Sequence, residues 1–169
     1  MISSIKTWMF NKSLKEHSNF KSNKDFSGVN HCKTHCIIAS GHPASIKATE
    51  KYKTKLEGHH KSVDVLYFIN DKTQSDIGYS RLNVKWNGVP QHEIIDSILS
   101  KEYDLLIFLN GEMEDHLKYL AILCNAKFKI GPGFPECIHI FDLMIEANDF
   151  SDTDVLIESI DRQLKLISA

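Results

Sequence analysis

Apolar residues are distributed along this chain in two alternating patterns, short continuous runs and helical stripes. The runs are Thr34–Ser40 (THCIIAS), Val63–Ile69 (VDVLYFI), Tyr103–Leu109 (YDLLIFL) and a shorter one from Lys127 to Ile130. VLYFI and LLIFL are apolar on successive residues, as expected of strands whose two faces are both covered. Between the runs, residues from about Pro43 to Leu56 form a helix that stops at Gly58, and Pro90 opens a helix carrying Ile94, Ile95, Ile98 and Leu99. Met113, Leu117, Leu120, Ala121 and Cys124 make a third stripe. Ser151 with Asp154 three residues on resembles a capping box, and starts a last helix with Leu156, Ile157, Ile160, Leu164 and Ile167 on its buried side.

Two segments are less regular. Arg81 to Trp86 alternates Leu82, Val84 and Trp86 on one side, which predicts a short edge strand. Ile138 to Ile145 predicts a sixth strand. At the amino terminus Ile2, Ile5, Trp8 and Met9 share a helical face, and residues 11–30 read as a linker or loosely held helix rich in Lys, Ser and Asn. The expected organisation is therefore an amino-terminal basic helix and linker over 1–30 and one domain over 31–169. Strands alternating with helices predict an α/β, Rossmann-like three-layer sandwich, with a mostly parallel sheet of about five to six strands.

In such sheets ligands are held at the loops that follow the carboxyl ends of the strands. Those loops contain Ser40, Gly41 and His42 after the first strand, and Asn70 and Asp71 after the second. Asn110 and Gly111 follow the Tyr103 strand, and Gly131 follows the next. These eight are the candidate ligand-binding residues. His42 is the candidate for proton transfer, because it stands beside Ser40 and within reach of Asp71 or Asn110 across a parallel rim. No G-x-G-x-x-G, P-loop or G-x-S-x-G pattern accompanies them.

The net charge of −2 conceals an asymmetry, +7 over residues 1–61 and −9 over 62–169. The basic segment has no arginine and little aromatic interleaving, so nucleic-acid binding is not expected. A charged fraction of 25% and a hydrophobic fraction of 42% are those of ordinary globular proteins, and no run is long enough to span a bilayer. Cys32, Cys36, Cys124 and Cys137 lie in or beside apolar elements, which predicts reduced thiols and a cytoplasmic location. His31, Cys32, His35 and Cys36 would share a metal only at helical spacing. Four residues of strand span about 13 Å, so no metal is expected there. No cofactor is expected either. Asp142 and Glu146 would pair only if their segment were helical, and read as solvated or capping residues.

Two resemblances add to this reading. The order THCIIAS, VDVLYFIND, KWNGVP, YDLLIFLN, NAKFKIGPGF, DLMIEA resembles a bacterial domain-of-unknown-function family of small proteins, over nearly the whole chain after about residue 33. Its most specific pieces are Trp86 with Gly88, the Tyr103–Ile107 strand and Ala126–Gly131. The pattern YDLLI, a helix, then AKFKIG is also similar to the amino-terminal half of heptosyltransferase-type GT-B glycosyltransferases, a half that binds the sugar acceptor. That resemblance implies an Asp in the turn after the first strand, where this chain has His42, and a nucleotide-sugar half that these residues do not contain. The leading expectation is a non-catalytic binding or accessory module taking a small anionic or sugar-like ligand. The alternative is a small transferase-like or hydrolase-like enzyme with its site around His42. The Trp8 helix and the irregular 72–89 segment also suggest a homodimer.

Overall fold

The computed structural model describes residues 11–12, 26, 28–71 and 76–168. The expected Trp8 helix and most of the 11–30 linker lie outside them. The elements are β1 (Thr34–Ser40), α1 (Pro43–Gly58), β2 (Ser62–Ile69), β3 (Gly78–Ser80), α2 (Glu93–Leu99), β4 (Glu102–Leu109), α3 (Asp115–Leu123), β5 (Asn125–Pro132), β6 (Leu143–Ile145) and α4 (Thr153–Leu166). All six strands are parallel, in the order β3-β2-β1-β4-β5-β6. The architecture is the expected Rossmann-like α/β sandwich.

Alternation along the strands sorts side chains into two cores. Cys36, Ile38, Leu66, Phe68, Leu106 and Phe108 pack with Ile95 and Ile98 of α2 and Leu117 and Leu120 of α3. Ile37, Ala39, Tyr67, Leu105, Ile107 and Leu109 pack on the other face with Ala48 and Tyr52 of α1 and Leu156 and Ile160 of α4. Each face thus receives two helices, which is why β1 and β4 carry no polar alternation. The chain winds outward from β1 through β2 to β3, then returns across the sheet to β4 and winds outward the opposite way. Right-handed crossovers require the covering helices to change faces at that reversal. The place where they do so is the gap between the exits of β1 and β4.

At the amino-terminal ends of the strands, carboxylates tie the sheet together. Asp104 Oδ2 accepts hydrogen bonds from the Lys33 N–H (2.8 Å), the Thr34 N–H (3.1 Å) and the Thr34 hydroxyl (3.1 Å), while Oδ1 accepts from Lys127 Nζ (2.8 Å). Three neighbouring strands are joined through that one side chain. Asp64 of β2 likewise accepts from Lys101 Nζ and the Tyr103 hydroxyl, both at 2.8 Å.

Several local expectations are corrected. Arg81–Trp86 is not a strand. The edge strand is Gly78–Ser80, and Arg81–Asn83 forms a 3-10 turn in which Ser80 and Asn83 cap each other reciprocally. Leu82 and Trp86 are left 57% and 63% exposed. The Pro90 helix begins at Glu93, where His92 Nδ1 accepts from the Ile94 N–H. The last helix is capped by Asp152, not Ser151; its carboxylate accepts from the Asp154 and Val155 N–H groups. Ile167 stays exposed beyond its end. Of the Ile138–Ile145 segment only Leu143–Ile145 is a strand, because Pro135–Cys137 coils into a 3-10 turn just before it. Asp142 and Glu146 flank that strand, so they do not share a helical face.

Candidate functional site

The exits of β1, β2 and β4 and the starts of α1, α3 and α4 enclose a cleft of about 860 Å³. It lies at the point where the strand order reverses, the place at which open α/β sheets leave room for a ligand. Ser40, Gly41 and His42 line it from β1, Asn70 and Asp71 from β2, and Asn110 and Gly111 from β4. Seven of the eight residues singled out in the sequence are therefore brought together. The eighth, Gly131, lies within β5 beneath the Phe141 ring and does not line the cleft.

Two of these positions require the absence of a side chain. A Cβ on Gly41 would stand 2.6 Å from Ile69 Cγ1 and 2.9 Å from the Phe68 carbonyl oxygen, whose acceptance of the Gly41 N–H (2.6 Å) holds the exits of β1 and β2 together. A Cβ on Gly111 would meet the Phe150 carbonyl oxygen at 2.5 Å. The loop before α4 thus rests directly on the exit of β4, and brings Asp149, Ser151, Asp152, Thr153 and Asp154 into the lining. Below them, the buried Thr153 hydroxyl donates to Ser45 Oγ at 2.8 Å and fastens the starts of α4 and α1 to each other.

His42 is the N-cap residue of α1, but its side chain caps nothing. Its backbone N–H donates to Ser40 Oγ at 3.3 Å, and among the described residues its imidazole makes no hydrogen bond with Ser40, Asp71 or Asn110. The Ala44 and Ser45 N–H groups in the first turn of α1 have no acceptor within the helix. Asn110 directly follows β4 and is 7% exposed, yet its Nδ2 has no hydrogen-bond partner among the described residues.

A braced wall closes the α3 side. Arg81 donates from Nε to Asn70 Oδ1 (2.6 Å) and from Nη2 to Glu114 Oε1 (2.7 Å), with its guanidinium 5.7 Å from the Phe68 ring centroid. Behind Glu114 is His116, buried against Phe68 with 4.4 Å between ring centroids. Its Nδ1 is 2.9 Å from the Tyr79 hydroxyl, and its Nε2 is 3.5 Å from Glu114 Oε2 without a formed hydrogen bond. Burial lowers the His116 pKa despite the neighbouring Glu114 carboxylate, and burial also raises that of Tyr79 well above the ordinary phenol. A neutral imidazole accepts a hydrogen bond from the Tyr79 hydroxyl at Nδ1, which satisfies the phenol and leaves the Nε2–H of His116 without a partner among the described residues.

The electrostatic character of the cleft is acidic. Asp71, Glu112, Glu114, Asp149, Asp152 and Asp154 line it, and no Lys or Arg among the described residues does. The acidic excess of residues 62–169 contained this signal, but only the return of α4 to the middle of the sheet concentrates it there. A second, more open furrow of about 1130 Å³ runs between β6 and α4, past Gly133, Met144 and Arg162. It lies away from the strand reversal, and none of the unpartnered buried polar groups lines it.

The remaining candidates are separated. Cys32 enters the α1–α4 core and Cys36 the α2–α3 core on the opposite face of the sheet, and all four cysteines are free and buried. Among the described residues no group of three or more His, Cys, Asp and Glu side chains is placed to hold a metal ion. No helix among them is long and apolar enough to cross a membrane. Neither a curated protein nor a solved structure matches the chain. The model of a family of unknown function (DUF6913) matches residues 4–167, reaching well ahead of the residue-33 limit read from the sequence, and the chain belongs to that family.

Proposed function

We propose that this chain is a non-catalytic binding module, and that the cleft at the strand reversal takes a hydroxyl-rich, sugar-like ligand. The observation that carries the reading is the chemistry of the lining. Ionised carboxylates are acceptors only, so they need a partner that brings protons, and hydroxyl groups bring them. Ser40, Asn70 and Asn110 supply both donors and acceptors between the carboxylates, as a ring of hydroxyls requires. A free phosphate or carboxylate would bring its own negative charge to a lining with six acidic side chains, so the anionic ligand is the less favoured of the two expectations. The likeness to the acceptor-binding half of heptosyltransferase-type enzymes points the same way. The non-catalytic reading draws support from His42, whose imidazole has no orienting partner among the described residues.

The test is a titration of isotopically labelled protein with glucose, galactose and ribose, and separately with inorganic phosphate and AMP, following backbone amide shifts. Shifts at Gly41, Asn110 and Gly111 with neutral sugars are expected, and Asn110→Leu should weaken them. Perturbation of those amides by phosphate or AMP alone would overturn the reading.

A further inference from the structure

The inner and outer parts of the cleft ask for different groups. Inside, Asn110 offers a buried Nδ2 donor with no partner among the described residues. Asn110 directly follows β4 and lines the cleft together with the start of α1. Nearby, the uncapped start of α1 adds the N–H groups of Ala44 and Ser45. An acceptor oxygen suits that end. Outside, Glu112 and Asp154 have no cation partner among the described residues, and Glu114, Asp149 and Asp152 line the same space. Three helix starts contribute roughly half a positive charge each and Arg81 offsets Glu114, so the six acidic side chains of the lining keep an excess of about three to four negative charges. These carboxylates do not converge on one point as metal ligands would.

We propose that the ligand is a hydroxylated amine, of which an amino sugar is the simplest form. A hydroxyl or ring oxygen accepts from Asn110, and the ammonium group faces the carboxylate rim. The proposal rests on the hydroxyl-rich reading of the same cleft and adds the positive charge.

The experiment compares glucosamine, glucose and glucose-6-phosphate on the full chain, at low and at high sodium chloride, by the amide shifts of Gly41 and Gly111. Glucosamine is expected to bind about tenfold tighter than glucose at low salt, with the advantage mostly lost at high salt. Glucose-6-phosphate should bind more weakly than glucose. The double variant Glu112→Gln, Asp154→Asn changes two exposed side chains. It should remove the preference, bringing the affinities for glucosamine and glucose to within about twofold of each other. Equal affinities for glucose and glucosamine in the unaltered protein would overturn the amine proposal while leaving the hydroxyl-rich reading standing. Absence of shifts with all three would overturn both.

Discussion

At the amino-terminal end of the sheet, Asp104 has a donor for every bond it can reach: Lys33, Thr34 and Lys127 surround it. At the carboxyl-terminal end, among the described residues, Glu112 and Asp154 have no cation and the Asn110 Nδ2 has no acceptor. The strands are the same and the residue types are similar. The difference lies in what the chain does at each end. At the amino-terminal end backbone N–H groups and lysines from adjacent strands close on one carboxylate, a local arrangement that lowers the free energy of the fold. At the other end three helix starts and a returning loop leave space between them, and polar groups face that space. One end is closed by hydrogen bonds between strands, and the other is an open cleft lined by polar groups.

The largest effects should come from the closed end. Replacing Asp104 by Ala orphans the Lys33 and Thr34 donors and frees Lys127, and should cost about 3–4 kcal/mol in urea denaturation. A loss below about 1 kcal/mol would mean that water replaces the carboxylate there, and the contrast between the two ends would collapse. Partial burial pushes the Asp104 carboxyl up, but Lys127 and the Lys33 and Thr34 donors outweigh it and hold the pKa well below the usual range. A depressed carboxyl stabilises the fold above its unfolded pKa and loses that contribution as the pH falls below about 4.

His35 gives a second pH signature, again at the amino-terminal end. Burial first, and then Lys61, bring its pKa down to about 4, against the opposing effect of Asp104. A lowered histidine favours folding in its neutral form, so its contribution is complete above the unfolded pKa of about 6.5 and is lost as the pH falls toward the folded value. Wild-type protein should lose roughly 2–3 kcal/mol to this group between those values. The loss should vanish in His35→Leu, measured as urea midpoints across pH. His116, at the open end, should account for a smaller share, because Glu114 beside it partly offsets burial. If replacing His116 removed the larger share, the two ends would have to be ranked the other way.

How the ends came to differ was only partly legible in the sequence. The runs THCIIAS, VDVLYFI and YDLLIFL disclosed parallel strands because burial on both faces removes polar alternation, and the turns after them disclosed the rim. Arg81–Trp86 misled because alternation of Leu82, Val84 and Trp86 mimics a strand, whereas the Ser80–Asn83 capping pair bends the chain into a 3-10 turn. That bend is what sends Arg81 back to Asn70 and Glu114. The α4 contribution was hidden for a different reason. Asp149, Asp152 and Asp154 are far in sequence from Ser40 and Asn110, and only the strand order brings them together. The space that glycine leaves at position 111 is part of that meeting. Gly111→Ala should cost about 1–3 kcal/mol, since the Phe150 carbonyl must move away from a Cβ that would sit 2.5 Å from it. A neutral effect in thermal unfolding would show that the loop before α4 yields without resistance.

The smallest expected change is at the open end, and it separates the two ends most sharply. Glu112→Gln removes an exposed carboxylate that touches no cation among the described residues, so the urea midpoint should move by less than about 0.5 kcal/mol equivalent, in either direction. A gain in stability is the more informative sign, because like charges around the cleft repel one another when it holds no ligand. The same substitution should shift the amide resonances of Gly41 and Gly111 and weaken glucosamine binding several-fold, while Asp104→Asn at the closed end should lower stability and leave that binding as it was. A charge that costs nothing to remove, yet is missed by a positively charged ligand, is held in place by the ligand and not by the fold. If Glu112→Gln instead destabilised the protein as much as Asp104→Asn does, the open end would be another structural clasp and the division of labour across the sheet would be lost.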